Sequence, residues 1–194
     1  MTNEIDKIKI LSDEAGSVIK LKNSMLMKIR KNNNLSNDEK SYLFNKTIVQ
    51  LNDVLTNIGM ELSTTLESIP IYTFYLKNMT YLTIYERAEL IAEIKDIERF
   101  YGYKKLLAYA GFTPNSNTYN KRLHNTLLRI GHKLILGNLE YSLIFEDACQ
   151  KYEQKNPSLS EKHITNKAKR IIIKKFIKEL YNFWRQLDEI GEDL

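Results

Sequence analysis

Residues 36–70, SNDEKSYLFNKTIVQLNDVLTNIGMELSTTLESIP, contain the start, the body and the end of one long helix. The opening S-x-x-E has the form of a capping box, in which the side chains of Ser36 and Glu39 each accept a hydrogen bond from the other's backbone amide. Pro70 prevents the helix from continuing past Ile69. Between these ends, apolar residues recur mostly every three or four positions, at Leu43, Ile48, Leu51, Leu55, Ile58, Leu62, Leu66 and Ile69.

A second amphipathic pattern precedes this stretch and predicts a helix from about residue 3 to residue 31. The polar run KNNN at residues 31–34 interrupts it, and its apolar positions are Ile5, Ile8, Leu11, Ala15, Val18, Met25 and Ile29. Two long helices joined by a short polar turn predict an antiparallel hairpin, which we assign to residues 1–69. A helical pair leaves an apolar seam uncovered, so we expect it to pack on the rest of the chain or on a second copy, as a homodimer.

The pattern changes after Pro70, and we assign residues 70–194 to a second unit. Short helices are predicted at 71–76, 85–94 and 103–110, followed by a loop at 111–120 that is rich in turn-forming residues. Longer helices are predicted at 122–152 and 161–187. The apolar face of the last helix comprises Ile164, Ala168, Ile171, Ile172, Phe176, Leu180, Phe183 and Trp184. The fold class is therefore all-α.

The composition agrees with helices and an intracellular location. Seven Gly and three Pro are too few for the frequent turns of an all-β protein. A single cysteine, Cys149, cannot form an internal disulfide, and no apolar segment near the start precedes a cleavage site. No apolar run reaches the roughly 18 to 20 residues of a membrane span. We expect a cytoplasmic protein that does not bind membranes.

Positive charge is concentrated in one part of the chain. Residues 121–185 contain 14 Lys and Arg against six Asp and Glu, a net charge of +8, whereas the rest of the chain carries −3 of the total of +5. On the last helix, spacings of three, four, four and seven place one basic row on a single face: Lys167, Arg170, Lys174, Lys178 and Arg185. Such a row suits phosphate groups, and a solvated lysine-rich face is the alternative.

The sequence offers no convincing catalytic, metal or cofactor site. Its three histidines and one cysteine lack the spacing of a zinc site, and its scattered glycines form no phosphate-binding loop. Glu93, Asp96 and Glu98 lie too close together to suggest a two-metal nuclease, which gathers carboxylates from separate elements. We interpret them as a solvated face and expect no self-sufficient enzymatic activity.

Four aromatic residues lie near the basic region: Tyr101, Tyr103, Tyr109 and Phe112. Exposed aromatic rings on a basic surface can stack on nucleic-acid bases. Residues of this type among short amphipathic helices more often pack into the core. We therefore expect all four to be packing residues.

Residues 93–100, EIKDIERF, and 105–114, KLLAYAGFTP, resemble the E-I-x-D-I-x-R-F and K-L-x-A-Y-A-G-x-x-P signature of a known family. The signature belongs to the C-terminal domain of insertion-sequence transposases of the IS-one-ten family. Residues 129–133, RIGHK, resemble the basic K-R-G-x-K stretch of that domain. The resemblance is strong over residues 88–114 and loose over most of the remaining chain.

The resemblance implies a helix-hairpin-helix-like DNA-binding domain at residues 70–194, preceded by a coiled-coil linker. The nuclease domain that comes first in the family is then not part of this sequence. Relatives use a serine after the proline of the signature as nucleophile and usually follow it with Gly. Here the nearest serine is Ser116, followed by Asn117, so no catalytic role is transferred.

The sequence thus predicts a transposase-like or transposase-derived protein of a mobile element that binds duplex DNA largely through phosphates. The alternatives are a recombinase subunit that needs a partner for catalysis, and a structural or interaction protein of a virus or plasmid. The predicted nucleic-acid-binding residues are Arg99, Lys104, Lys105, Lys121, Arg122, Arg129, Lys133, Lys167, Lys169, Arg170, Lys174 and Lys178.

Overall fold

The computed structural model describes residues 2–114 and 118–192, and within these ranges the chain is built from helices without any strand. The predicted all-α class is confirmed. None of the described helices is long and apolar enough to span a bilayer. The helices are α1 (Thr2–Lys31), α2 (Asn37–Leu66), α3 (Pro70–Phe74), a short 3-10 helix (Leu76–Asn78), α4 (Ile84–Ile94), α5 (Tyr103–Tyr109), α6 (Lys121–Gly137), α7 (Leu139–Lys155) and α8 (Glu161–Glu192).

Helices α1 and α2 form the antiparallel hairpin. The capping box at its turn is present: Ser36 N donates to Glu39 Oε2 at 2.8 Å, and Glu39 N donates to Ser36 Oγ at 3.3 Å. α2 ends at Leu66, and Pro70 is the first residue of α3, where its missing amide costs no helical hydrogen bond. Three contacts fix the antiparallel direction: Lys7–Glu61 at 3.0 Å, Lys22–Asn52 at 2.6 Å, and Arg30 over the Phe44 ring at 5.4 Å.

The base of the hairpin and the remaining helices share one apolar core. Ile8, Leu11 and Ala15 of α1 and Leu62 and Leu66 of α2 are buried together with residues of α4, α6 and α8. The boundary predicted at residue 69 therefore crosses a shared core. Between residues 16 and 57, by contrast, no apolar side chain is buried, so most of the hairpin projects from the bundle.

Helix α8 packs against α3, α5, α6 and α7. Its predicted apolar face is confirmed in part, because Ile171 is exposed and Phe183 only half-buried. Ile173 lies against Gly131 of α6, where the absence of a side chain lets the two helices approach closely. The buried face comprises Ile164, Ala168, Ile172, Ile173, Phe176, Ile177, Leu180 and Trp184.

The prediction of one continuous helix at 122–152 is wrong, because two helices, α6 and α7, occupy this stretch. Asn138 lies between them with an extended backbone, at φ −140° and ψ 121°. Its side-chain oxygen accepts hydrogen bonds from the amides of Glu140 at 3.0 Å and Tyr141 at 3.3 Å, and so caps α7. Gly137, a poor helix former, precedes the break.

The close contact between α6 and α8 gives a paired test. A Cβ at position 131 would lie 2.6 Å from Ile173 Cγ1, whereas one at Gly16 of α1 meets nothing within 4 Å. We expect Gly131→Ala to lower the free energy of unfolding by about 1 to 3 kcal/mol through overpacking. Gly16→Ala should raise it by about 0.5 to 1 kcal/mol through helix propensity. Urea denaturation measures both, and equal effects of the two substitutions would contradict the packing described.

Candidate nucleic-acid interface

The face of α8 opposite its buried residues carries four exposed cations: Lys167, Arg170, Lys174 and Lys178. Within the described ranges, none of the four forms an ion pair with a carboxylate. Arg185, predicted in the same row, is half-buried and lies 3.2 Å from Glu98. The four exposed cations therefore keep their charge available to a ligand.

Aromatic rings support three of these four cations. Cations over aromatic faces gain a modest attraction at exposed sites, which favours a fixed position for a long side chain. Arg170 also donates to the backbone oxygen of Gly111 at 3.4 Å. The pairs are Lys167 over Tyr152 at 5.6 Å, Arg170 over Phe112 at 5.8 Å, and Lys178 over Tyr103 at 5.8 Å from the ring centre.

Helix α5 packs beside α8 and carries two further exposed cations. Lys104 and Lys105 are exposed, and neither forms an ion pair with any described residue. They directly follow Tyr103, whose ring lies under Lys178. We call these six cations together the α5–α8 surface: Lys104, Lys105, Lys167, Arg170, Lys174 and Lys178.

Three of the predicted binding residues have a different environment, because carboxylates of α4 neutralise them. Arg122 Nε lies 2.8 Å from Glu89 Oε1, and Arg129 pairs with the other oxygen of the same carboxylate. Lys133 Nζ lies 2.7 Å from Glu86 Oε2. These pairs join α6 to α4. Glutamates at spacings of three and four on α4 are the sequence signal that could have indicated this pairing.

Glu93 of α4 is buried and connects several elements. Its carboxylate accepts from Lys9 Nζ of α1 at 2.7 Å and from Asn120 Nδ2, which precedes α6, at 2.7 Å. Arg122 Nε lies 3.5 Å away. Glu93 is therefore an internal connector and not part of the solvated face that the sequence predicted. Across residues 2–114 and 118–192, no three His, Cys, Asp or Glu side chains are grouped so that they could hold a metal ion.

The remaining predicted cations lie at the margins. Arg99 lies 4.6 Å from the ring centres of both Phe100 and Tyr109, which gives it a packing role. Lys121 is exposed at the first residue of α6, and Lys169 is half-buried on α8. None of these three belongs to the α5–α8 surface. Ser116 lies outside the described residues.

The prediction that four aromatic residues pack into the core is confirmed for three of them and wrong for one. Phe112 is buried, and Tyr103 and Tyr109 are half-buried against the core. Tyr101 is 99% exposed. It occupies the turn before α5, where its neighbour Phe100 is the residue that enters the core. Phe100 and Tyr101 both lie outside any helix, so no sequence feature indicates which of the two is exposed.

Comparison with known proteins assigns no family. No family model matches the chain, and no match is found among curated proteins or solved structures. The resemblance of residues 93–114 to the transposase signature stays a prediction.

The α4–α6 pairing predicts a pH dependence of stability. Burial raises the pKa of Glu86, but hydrogen bonds from Lys133 and Thr83 outweigh it, so the net pKa is lowered. A carboxylate whose pKa is lowered by folding stabilises the fold at pH values above its pKa in the unfolded state, about 4.3. This contribution is lost as the pH falls through the pKa of the folded state. We expect Glu86→Gln to cost about 1 to 2 kcal/mol at pH 7, and the difference from the parent to shrink below about pH 4.3.

Denaturant titrations from pH 7 to pH 3 measure this difference. Glu153→Gln is the matched control, since Glu153 is exposed and forms no ion pair with a described residue; it should leave stability at pH 7 nearly unchanged. A Glu86→Gln effect that is independent of pH would show that the ion pair with Lys133 is not the source of the stability.

Proposed function

We propose that this protein binds duplex DNA through the α5–α8 surface, chiefly by contacts to phosphates. The supporting observation is the contrast between two basic helices. Arg122, Arg129 and Lys133 of α6 are paired with carboxylates of α4, whereas the six cations of the α5–α8 surface are exposed and form no ion pair among the described residues. Lys175 and Arg185 of α8 are paired, with Glu140 and Glu98 respectively, and lie outside this surface. An exposed lysine that contacts a phosphate releases condensed counterions, which drives association with DNA.

The dimensions of the surface fit this ligand. Lys167 to Lys178 span eleven helical steps, about 16 Å along α8 at 1.5 Å per residue. This length matches about five base pairs of duplex DNA, in which successive phosphates of one strand are separated by a rise of about 3.4 Å per base pair. Phosphate contacts carry no base information, so we expect little sequence preference. The resemblance of residues 93–114 to transposases supports a DNA role within a mobile element.

We further propose that the hairpin joins two copies of the chain. The supporting observation is the low burial of its side chains. Among the described residues from 16 to 57, only Thr47 is buried. A groove of about 560 Å³ between α1 and α2 is lined by four apolar residues, Ile10, Val18, Val54 and Ile58, together with Asp13, Glu14 and Ser17. A hairpin from a second copy would cover this groove and supply the burial that a helix pair lacks.

Neutralising the row on α8 tests DNA binding. We expect the combined change of Lys167, Arg170, Lys174 and Lys178 to Gln to weaken binding to all duplex sequences, because each lost phosphate contact removes a released counterion. The slope of log affinity against log salt should fall by about one for each lost contact. Fluorescence anisotropy with labelled duplexes at about 50 to 200 mM salt measures both quantities.

The control removes the same charge elsewhere. Lys20, Lys28, Lys31 and Lys46 of the hairpin are also exposed, and their combined change to Gln should preserve more of the affinity. Equal loss in the two variants would show that net charge and not the α5–α8 surface causes binding. Absence of binding by the parent at about 50 mM salt, where phosphate contacts are strong, would exclude the proposed function.

Light scattering at roughly tens of micromolar, where modest interfaces are detectable, should report a dimer. We expect Val54→Glu to shift the protein to monomer, since it replaces an apolar side chain of the groove with a third carboxylate beside Asp13 and Glu14. Val49→Glu is the control, because Val49 is 58% exposed on α2 and does not line the groove. A monomeric parent, or dimers in both variants, would contradict the proposed interface.

A further inference from the structure

Tyr101 has an unusual combination of a fixed backbone and a free side chain. Its ring is 99% exposed, while its neighbour Phe100 is only 6% exposed. The Phe100 oxygen accepts a hydrogen bond from the Tyr181 hydroxyl of α8 at 3.0 Å. The Glu98–Arg185 pair at 3.2 Å attaches the same turn to α8 a second time. The turn is therefore held on α8, and the ring of Tyr101 extends from it into solvent.

The position of this ring relates it to the α5–α8 surface. Tyr101 lies two residues before Tyr103. The Nζ of Lys178 lies 5.8 Å from the centre of the Tyr103 ring. The exposed Lys104 and Lys105 follow three and four residues after Tyr101. An aromatic ring next to cations is the combination with which proteins bind single strands, because the cations contact the backbone and the ring stacks on a base.

We propose that Tyr101 stacks on an unpaired base, so that the preferred ligand of the α5–α8 surface is a DNA duplex with a single-stranded extension. This inference rests on the proposed function and names its substrate class. In the interior of a duplex the faces of the bases are covered by their neighbours, whereas an unpaired base of a single-stranded extension offers a free face to the ring.

The attachment of the turn favours this role. A ring on a fixed backbone loses little freedom when it stacks, and tyrosine has only two side-chain torsions to restrict. Every base has a π-face, so the contact adds no sequence preference. Lys104 and Lys105 provide charges for the phosphates that flank the stacked nucleotide.

Anisotropy measurements at one salt concentration test the inference with three DNA ligands: a blunt duplex, the same duplex with an overhang of thymidines, and the same duplex with an abasic overhang. The abasic strand adds equal phosphate charge without bases. We expect the parent to bind the thymidine overhang about tenfold more tightly than the abasic one, the size of a single base–aromatic stack.

Tyr101→Ala should abolish that preference while keeping the affinity for the blunt duplex and the melting temperature, since the ring is exposed. Tyr101→Phe should retain the preference, because stacking needs the ring and not the hydroxyl. Tyr42→Ala is the matched control, an aromatic that is 65% exposed on the hairpin, and should also retain it.

The outcomes separate this inference from the proposed function. A parent that binds the blunt duplex through the α8 row but does not distinguish the two overhangs overturns the stacking role alone. A preference that persists in Tyr101→Ala overturns it as well. Failure of the parent to bind any of the three ligands overturns both.

Discussion

Phe176 and the apolar residues in line with it on α8 pack against α5, α6 and α7, and this burial fixes the direction of every other side chain on the helix. Full burial of a large apolar side chain stabilises a fold by about 1.5 to 3 kcal/mol. No exposed lysine contributes a comparable amount. The core therefore determines the orientation of α8, and the basic face points to solvent as a consequence.

The same orientation explains why two neighbouring basic helices differ. α6 lies between α8 and α4, so its polar side faces the glutamates of α4, and Arg129 and Lys133 are paired there. Within residues 2–114 and 118–192, no carboxylate pairs with the four exposed cations on the outer side of α8. Successive cations on that side are three or four residues apart, which places their Cβ atoms about 5 to 6 Å apart, within the roughly 8 to 10 Å over which physiological salt screens charge. Their fields therefore add on that side of α8.

The parts of the fold that depend on local sequence could be predicted. The Ser36 capping box and the helical periodicity of α1, α2 and α8 depend on residues only a few positions apart. The end of α2 at Leu66 and the exposure of Met25 and Ile171 in the predicted apolar stripes depend on tertiary packing. The break at Asn138 was missed, because a Gly-Asn pair sits inside a continuous apolar pattern and its capping role depends on geometry.

The site could be predicted only in part. Charge counting located the α8 row, but it could not separate free cations from paired ones, since the pairing of Arg122 and Lys133 depends on where α4 lies. The exposure of Tyr101 was missed for a related reason. Whether Phe100 or Tyr101 enters the core is decided by the packing of the turn on α8, which residue type alone does not determine.

Lysine footprinting can locate the DNA-binding surface on the protein itself. Brief acetylation of the parent protein with and without duplex DNA, followed by mass spectrometry, reports the accessibility of each lysine. DNA should protect Lys104, Lys105, Lys167, Lys174 and Lys178, while Lys20, Lys28 and Lys46 of the hairpin should react equally in both conditions. Protection confined to the hairpin, or spread evenly over both groups, would contradict it.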